Sequence, residues 1–349
     1  LLVHSASDEV RAAIVAAGGA IRFDEFMRIA LYGEHGFYTT GGQAGRRGDF
    51  ITSPEVGPLF GAVLARWIDS EWHRLGEPED FTIVEWGAGP GTLARTVLAA
   101  APHWKGHYVA VEVSEQQRQQ HPSGVRSLSK LMSGPATRGV VIANELLDNL
   151  PFRLAVFDGG WREVVVSLGR ASDLVETTRA PDPAWDWLPA RATHGTRLPI
   201  QNEAARWVTD ARHSLSQGSV MIIDYCTPTT VDLAGLSWRS WLRTYRAQGR
   251  GDHYLHDPGG QDITAQVCLD QLPSPLLIEL QVDFLRRLGI DELVEDGRRA
   301  WAAAAAAPDV AALTMRSRAR EAEALLDPLG LGAFSVVSWH VEGGSNRAR

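Results

Sequence analysis

Cysteine and long apolar runs are scarce in this sequence. Its two cysteines, Cys226 and Cys268, are far apart in the chain and have apolar neighbours, so they form neither a metal-binding nor a redox spacing. No stretch approaches the roughly 18 apolar residues that a membrane-spanning helix requires. We therefore expect no membrane partner, and we expect a reducing compartment, namely the cytoplasm.

Basic residues are fewer than acidic ones, and no metal-binding motif is present. The net charge of −8 lacks the basic excess that attracts a nucleic acid or an anionic membrane surface. His253 and His256 match no metal-binding motif, so we expect surface histidines and no metal site. The 349 residues, 44% of them hydrophobic and 22% charged, are typical of a globular enzyme with one large domain or two.

The most informative stretch is residues 81–92, which read FTIVEWGAGPGT. Apolar or β-favouring residues lead into Glu85, glycines follow at alternate positions (Gly87, Gly89 and Gly91), and the helix-forming run LARTVLAA comes next. Glycine is required where the backbone takes a positive φ or lets a ligand approach closely. A buried strand, a glycine turn and a helix predict the first βα unit of a nucleotide-type fold.

The spacing of these glycines narrows the class of ligand that the turn could bind. A dinucleotide fingerprint requires Gly-x-Gly-x-x-Gly, but Thr92 stands where its last glycine belongs. A phosphate-binding Walker loop requires a Gly-Lys-Ser/Thr sequence, which is absent. The remaining pattern, Glu-x-Gly-x-Gly-x-Gly, is typical of S-adenosylmethionine methyltransferases. A carboxylate such as Glu85 suits a cofactor with an ammonium group and a sulfonium. The alternative is a tight turn that binds no ligand.

Glu112 supports an adenosine cofactor. It lies near the end of the strand-like run HYVAVEV and follows Gly91 by 21 residues. An acid at this place accepts hydrogen bonds from ribose hydroxyls. Because NAD-binding proteins use the same arrangement, Glu112 does not distinguish the two cofactors, and a solvated acid at a strand end is the other interpretation.

The order of predicted elements indicates an α/β fold with a Rossmann-like, doubly wound sheet. We divide the chain into four parts. These are an N-terminal helical extension with a cofactor-covering loop (1–75), a Rossmann-like core (76–230), an inserted and mostly helical substrate or partner region (231–330), and a final core strand and tail (331–349). Residues 153–157 and 161–168 are predicted to form a strand pair.

The chain resembles the MidA-like methyltransferases, whose mitochondrial member assists assembly of respiratory complex I and methylates a protein arginine. The most specific matching stretch is GDFITSPEV at 48–56. The other matches are 36–38, 60–61, 85–93, 111–114, 143–151, 160–163, 223–225, 262–265 and 284–290. The resemblance implies a class I methyltransferase fold with an N-terminal extension, and S-adenosylmethionine as methyl donor with S-adenosylhomocysteine as product. The sequence departs from the family pattern at Cys268 and at 248–254. Both departures lie in the expected substrate region, so they bear on the identity of the methyl acceptor more than on the methyl-transfer chemistry.

The resemblance also assigns roles to a loop before the glycine turn. It implies that Asp49, Thr52, Ser53 and Glu55 fold over the cofactor. Taken alone, these residues indicate only a helix start, with Ser53 as the N-cap and a proline after it.

Candidate catalytic residues follow the fourth core strand, where this fold faces the transferred methyl group. Asn144 is predicted to contact the cofactor, Glu145 to bind a guanidinium bidentately, and Asp148 to supply a second carboxylate. Capping of a following helix is the alternative role for the two acids.

These observations favour a methyltransferase that acts on a protein substrate, with arginine as the expected acceptor. Two alternatives stay open: an assembly protein that holds S-adenosylmethionine without turnover, and a small-molecule methyltransferase. The helical stretch near 280–327 fits a protein partner and equally a homodimer.

Overall fold

The computed structural model describes residues 4–41, 52–131, 137–247, 249–307 and 309–343. The helices over these ranges are α1 (Ala6–Ala16), α2 (Phe23–Tyr32), α3 (Ser53–Val56), α4 (Pro58–Arg74), α5 (Thr92–Ala100), α6 (Glu115–Arg118), α7 (Asn202–His213), α8 (Trp238–Trp241), α9 (Gln281–Arg287), α10 (Ile290–Ala303) and α11 (Val310–Leu325). The strands are β1 (Ala20–Arg22), β2 (Thr82–Trp86), β3 (Tyr108–Val111), β4 (Val125–Leu128), β5 (Thr137–Asn144), β6 (Arg153–Phe157), β7 (Trp161–Leu168), β8 (Leu174–Arg179), β9 (Arg197–Ile200), β10 (Leu215–Asp224), β11 (Cys226–Thr227), β12 (Leu242–Arg246), β13 (Gly249–Arg250), β14 (Asp262–Ala265), β15 (Val267–Cys268), β16 (Leu277–Leu280) and β17 (Ser335–Val341).

A mixed seven-stranded sheet forms the centre of the molecule, in the order β16-β17-β10-β5-β2-β3-β4. The five strands from β10 to β4 run parallel to one another. At the β10 edge, β17 pairs antiparallel with β10, and β16 pairs antiparallel with β17. Helices α4, α5 and α9 to α11 contribute to the apolar core on one face, and α7 contributes to the core on the other. Strands covered on both faces read as continuous apolar runs, as β5 does. The predicted α/β sheet is confirmed.

A second, antiparallel sheet has the order β1-β7-β6-β9, with β8 also paired to β7. The predicted strand pair is confirmed, since β6 and β7 align Ala155 with Glu163. Helices α1 and α2 pack over this sheet through a separate apolar core that includes Phe23, Phe26 and Phe152. The N-terminal helices are therefore held by a sheet that lies outside the parallel core.

The stretch after β10 builds a small three-stranded sheet in the order β13-β12-β14. Antiparallel register places Arg243 opposite Thr264 and Tyr245 opposite Asp262. Directly opposed residues point to the same face of a sheet, so these four side chains share one face. Hydrogen bonds from Thr264 to Asp148 and from Asn149 to Asp262 join that face to the segment after β5.

The start of α3 differs from the sequence prediction. The helix begins at Ser53, so Thr52 and not Ser53 is the N-cap residue, and the Thr52 side chain makes no capping hydrogen bond. The Ser53 hydroxyl instead donates to Oε1 of Gln281 at 3.1 Å in a buried position. A distant partner on α9 has replaced the local cap. Across the described ranges, no helix is long and apolar enough to cross a membrane.

Candidate active site

The glycine turn connects β2 to α5 with a left-handed backbone. Gly87, Gly89 and Gly91 have φ values of 66°, 54° and 76°, and Gly91 is the N-cap residue of α5. Residues with a Cβ rarely adopt this conformation, which accounts for glycine at alternate positions. At these glycines the turn exposes backbone at the carboxyl end of a central parallel strand, where ligands bind in open α/β sheets.

Glu85 lies buried beneath this turn, with 4% of its surface exposed. The Tyr108 hydroxyl donates a hydrogen bond to its Oε2 at 2.8 Å, and the backbone N–H of Ala94 also donates to its carboxyl group. Burial raises the pKa of Glu85 to about 8. The carboxyl group is therefore mainly uncharged at neutral pH, and the charge attraction expected from the sequence does not operate in the free protein. Its contacts tie β2 to β3 and to α5.

Glu112 is oriented by two backbone amides. The N–H of Gly89 donates to its Oε2 at 2.9 Å, and the N–H of Ser114 donates to its Oε1 at 2.8 Å. Each carboxylate oxygen can accept a further hydrogen bond. The contact also fixes the glycine turn against the end of β3, so the acid is held in one place at the edge of the turn.

A cavity of about 400 Å³, here the large cavity, opens over the glycine turn. Most of the predicted site residues line it, namely Thr52, Glu55, Glu85, Gly87, Gly89, Thr92, Glu112, Asn144 and Glu145. Ser53, Gly91 and Asp148 do not line this cavity. Asp49 lies outside the described residues. The cavity is also lined by side chains to which the sequence analysis assigned no site role, among them Tyr32, Tyr38, Trp86, Gln117, Ser129 and Trp207.

Glu145 lies immediately after β5 and has a left-handed φ of 52°, which is unusual for a residue with a side chain. Its Oε1 accepts hydrogen bonds from Nδ2 of Asn144 at 3.1 Å and from the N–H of Ser53 at 3.3 Å. Burial, and to a smaller extent the charge of Asp148, raise the pKa of Glu145 to about 8. A strained backbone held by several partners is frequent at functional sites.

A second cavity of about 120 Å³, here the small cavity, shares Glu145 with the large one. Its other acidic side chains are Asp148 and Asp262. Its aromatic side chains are those of Tyr225 and Tyr245, together with the indole of Trp241, and Arg243 also lines it. The predicted residues Glu145 and Asp148 are thus brought together, whereas the aromatic residues are not among the predicted catalytic or cofactor-binding residues.

The acids of the small cavity are buried and incompletely paired. Thr264 donates to Oδ2 of Asp148, but Oδ1 of Asp148 is buried and has no hydrogen-bond partner in the described structure. Burial raises the pKa of Asp148 to about 6. Asp262 accepts hydrogen bonds from the Tyr38 hydroxyl at 2.9 Å and from Nδ2 of Asn149 at 3.0 Å. Burial, with the charge of Asp148, raises its pKa to about 7.

A further buried acid, Asp224, stabilises the backbone next to the acids of the small cavity. It is fully buried, and its Oδ2 accepts a hydrogen bond from the N–H of Leu147 at 2.9 Å. Its Oδ1 accepts one from the N–H of Tyr225 at 2.8 Å. Burial and the nearby acids raise its pKa well above the ordinary value. Asp224 therefore fixes the backbone that carries Asp148 and Tyr225.

The large cavity fits S-adenosylmethionine. Glycine backbone approaches it without a Cβ, and the Glu112 carboxylate lines it with free acceptor capacity for ribose hydroxyls. Oδ1 of Asn144 is buried without a partner in the described part of the chain, so it can accept a hydrogen bond from a ligand. Within the same residues, no group of three or more His, Cys, Asp or Glu is arranged to hold a metal ion.

Curated relatives match most of the chain. The protein arginine methyltransferase NDUFAF7 homolog, mitochondrial, of Drosophila melanogaster is 29% identical over 309 residues, which are 75% of this chain and 68% of the relative. The protein arginine methyltransferase NDUFAF7, mitochondrial, of Homo sapiens is 27% identical over 329 residues, which are 79% of this chain and 72% of the relative.

A solved structure shares the fold nearly end to end. It is a protein of Burkholderia thailandensis bound to S-adenosyl-homocysteine, with a TM-score of 0.83 and 26% identity, and the match covers 98% of this chain and 92% of that chain. A second structure from the same organism has a TM-score of 0.80 and the same coverage. The product of methyl transfer is thus bound by a protein of this architecture.

The relatives contradict the expected cytoplasmic location. The proteins from Drosophila melanogaster, Danio rerio, Bos taurus and Homo sapiens are all named as mitochondrial. The expectation failed because scarce, unpaired cysteine reports on redox conditions and does not distinguish one reducing compartment from another.

A family model described as "Putative S-adenosyl-L-methionine-dependent methyltransferase" matches residues 63–284. The match covers more than half of the chain and includes the glycine turn, Glu145 and the three-stranded sheet that carries Arg243. The chain therefore belongs to this family and is an S-adenosylmethionine-dependent methyltransferase.

Proposed function

We propose that this methyltransferase modifies the guanidinium group of an arginine in a protein substrate. The observation that carries the proposal is the small cavity, where three acids and three aromatic side chains meet beside the large cavity. Carboxylates bind guanidinium through paired hydrogen bonds, and aromatic faces attract the same cation. The curated relatives named as protein arginine methyltransferases support the same acceptor.

The residues of the large cavity would hold the methyl donor. Glu112 would accept the ribose hydroxyls, the backbone at Gly87 and Gly89 would lie against the ligand, and Asn144 would accept a hydrogen bond through Oδ1. When bound, S-adenosylmethionine supplies the methyl group as an electrophilic carbon on a sulfonium. Thr52 and Glu55, at the start of α3, close the cavity from the N-terminal side.

Glu145 and Asp148 would orient the acceptor. Arginine is protonated at every physiological pH because its pKa is about 12.5 or above, so the enzyme must bind a cation. A guanidinium beside Glu145 and Asp148 favours their ionised forms and lowers their pKa values from about 8 and about 6. The unpaired Oδ1 of Asp148 would accept one N–H, and Glu145 a second, so the charge is drawn away from the nitrogen that reacts.

Glu145 would also remove a proton. The nitrogen that gains the methyl group must lose one hydrogen to regain a planar guanidinium of the same charge. A carboxylate with a pKa near neutrality in its cavity accepts that proton and releases it to solvent after the product leaves. The hydrogen bonds from Asn144 and Ser53 keep the carboxyl group at the wall between the two cavities.

The additions to the core supply the walls of both cavities. We propose that the class I methyltransferase core (76–230) is extended by residues 1–75, which cover the cofactor, and by 231–330, which shape the acceptor site. Arg28, Tyr32 and Tyr38 line the large cavity, whereas Trp241 to Gln266 supply much of the small one. A homodimer stays a prediction for sedimentation to test.

The proposal is tested by finding the methylated atom. The protein is incubated with methyl-labelled S-adenosylmethionine and either arginine peptides, lysine peptides or a small-molecule extract, and the products are hydrolysed for amino-acid analysis. We expect label in methylarginine alone. Label only in a small molecule or in methyllysine would contradict the arginine assignment. Cofactor binding without any label would favour an assembly role instead.

A further inference from the structure

A run of positive charge follows β11 in an otherwise acidic protein. Between Trp238 and Arg250 the chain carries four arginines and no acid, although the net charge of the whole sequence is −8. Arg246 pairs with Asp257 at 3.0 Å and does not line the cavity that the other three arginines share. The remaining arginines, Arg239, Arg243 and Arg250, have a different arrangement.

These three arginines line one cavity of about 170 Å³, here the basic cleft, beside Trp238 and His253. One acid, Asp252, also lines it, so the arginines outnumber the acid by three to one. None of them forms an ion pair with an acid in the part of the chain that the structure describes. Arg239 stacks on the Trp238 ring with 4.3 Å from its guanidinium carbon to the ring centroid. Arg250 donates to the carbonyl of Arg239 at 3.4 Å. Stacking and backbone contacts hold Arg239 and Arg250 without neutralising their charge, whereas the charge of Arg243 also acts on Asp148 in the small cavity.

The basic cleft adjoins the acceptor site. Arg243 lines both the basic cleft and the small cavity, so one side chain separates them. Register in the three-stranded sheet places Tyr245 opposite both Asp262 and Arg250, so Asp262 of the small cavity and Arg250 extend from the same face. An extended peptide advances about 3.3 Å per residue, so two or three residues span about 7 to 10 Å. That length is enough for a bound peptide to pass Arg243 and reach from one cavity into the other.

We infer that the basic cleft binds an aspartate or glutamate of the protein substrate, two or three residues away from the methylated arginine. The inference rests on the proposed function, since it places the acceptor arginine in the small cavity. Guanidinium groups bind carboxylates through charge-assisted hydrogen bonds, and a cleft with several unpaired arginines provides more than one such donor. The cleft therefore selects acceptor sites that carry an acid beside the arginine.

The test uses synthetic peptides with a central arginine in an alanine and serine background. One set carries a glutamate at each position in turn, and a matched set carries glutamine there. For each peptide, KM for methyl transfer and Kd in the presence of S-adenosylhomocysteine are measured. We expect glutamate two or three residues from the arginine to lower both constants about tenfold in the wild type.

Variants of exposed arginines locate the effect. Arg239→Gln and Arg250→Gln should each reduce the glutamate advantage about threefold, the effect of losing one exposed charge pair. Arg246→Gln is the matched control: it removes a charge from the same segment outside the basic cleft, and it should leave the advantage unchanged.

The outcomes separate this inference from the function on which it rests. Equal constants for glutamate and glutamine peptides, with methylarginine still formed, would overturn the role of the basic cleft alone. Glutamate-dependent binding that is lost in Arg239→Gln and Arg250→Gln, without methyl transfer, would support the cleft and overturn the arginine acceptor. Tight binding of an oligouridine that the glutamate peptide cannot displace would assign the cleft to nucleic acid and overturn the inference.

Discussion

The backbone N–H of Ser53 donates a hydrogen bond to Oε1 of Glu145 at 3.3 Å, across 92 residues of sequence. The Ser53 hydroxyl is anchored to Gln281 of α9. Glu145 is thus held from the N-terminal extension and from Asn144, at the wall that the two cavities share. The position of the Glu145 carboxyl group therefore depends on one segment that precedes the core in the sequence and on another that follows it.

Replacement of Gly89 by valine should abolish cofactor binding. Gly89 has a φ of 54°, which a β-branched side chain rarely adopts, and its N–H is bound to Glu112. We expect the Kd for S-adenosylhomocysteine to rise at least about 100-fold by calorimetry. Gly106→Val is the matched control, because Gly106 has a φ of 88° but does not line the large cavity. Equal loss of binding in both variants would attribute the effect to general strain.

Stability should fall as the pH rises from acid to neutral. The folded protein keeps the proton of Glu85 up to a pKa of about 8, whereas the unfolded chain releases it near 4.5. Between these values the folded state binds more protons, so raising the pH favours unfolding, by up to about 1.4 kcal/mol per pH unit for one group. Urea denaturation at about pH 5.5 and about pH 7.5 measures this loss.

Glu85→Gln should reduce that pH dependence. Glutamine resembles the uncharged acid and does not titrate, while Glu145, Asp148 and Asp262 act equally in both proteins. The exposed Glu323→Gln serves as control and should keep the wild-type slope. A variant at Glu85 with an unchanged slope would show that this carboxyl group is ionised in the folded protein.

Asp148→Asn should weaken acceptor binding without affecting the cofactor. Asp148 lines the small cavity and not the large one, and the asparagine can still accept the hydrogen bond from Thr264. Loss of one charge-assisted contact raises KM for an arginine peptide about 10- to 100-fold. The Kd for S-adenosylhomocysteine should stay within about twofold. A larger change in cofactor affinity than in KM would contradict the division into two cavities.

Local patterns predicted the part of the site that lies on consecutive residues. The β2 strand, its glycine turn and α5 are encoded within the continuous stretch 82–100, and positive φ explains each glycine. Glu112, Asn144 and Glu145 follow directly from the rule that ligands lie at the carboxyl ends of parallel strands. The glycine turn and these three residues do border one cavity.

Distant segments form the remainder, and no local pattern reveals them. Tyr225 and the β12 to β14 sheet reach Asp148 only after more than 70 intervening residues, through partners such as Thr264. The segment that contains β12 and β14 is rich in glycine, proline and aromatic residues and shows no clear periodicity. A usable signal was present, since DITA at 262–265 was among the stretches that match the MidA-like family.

Glu145 is central to the proposed chemistry, and the most direct measurement compares methyl transfer by the wild type and by Glu145→Gln. Glutamine keeps an oxygen that accepts the hydrogen bonds from Asn144 and Ser53 but cannot hold a cation or take a proton. Glu323→Gln, on the exposed surface of α11, controls for the substitution itself. We predict that transfer to an arginine peptide falls at least about 100-fold in Glu145→Gln while the Kd for S-adenosylhomocysteine changes less than about threefold. Undiminished transfer in that variant would contradict the account.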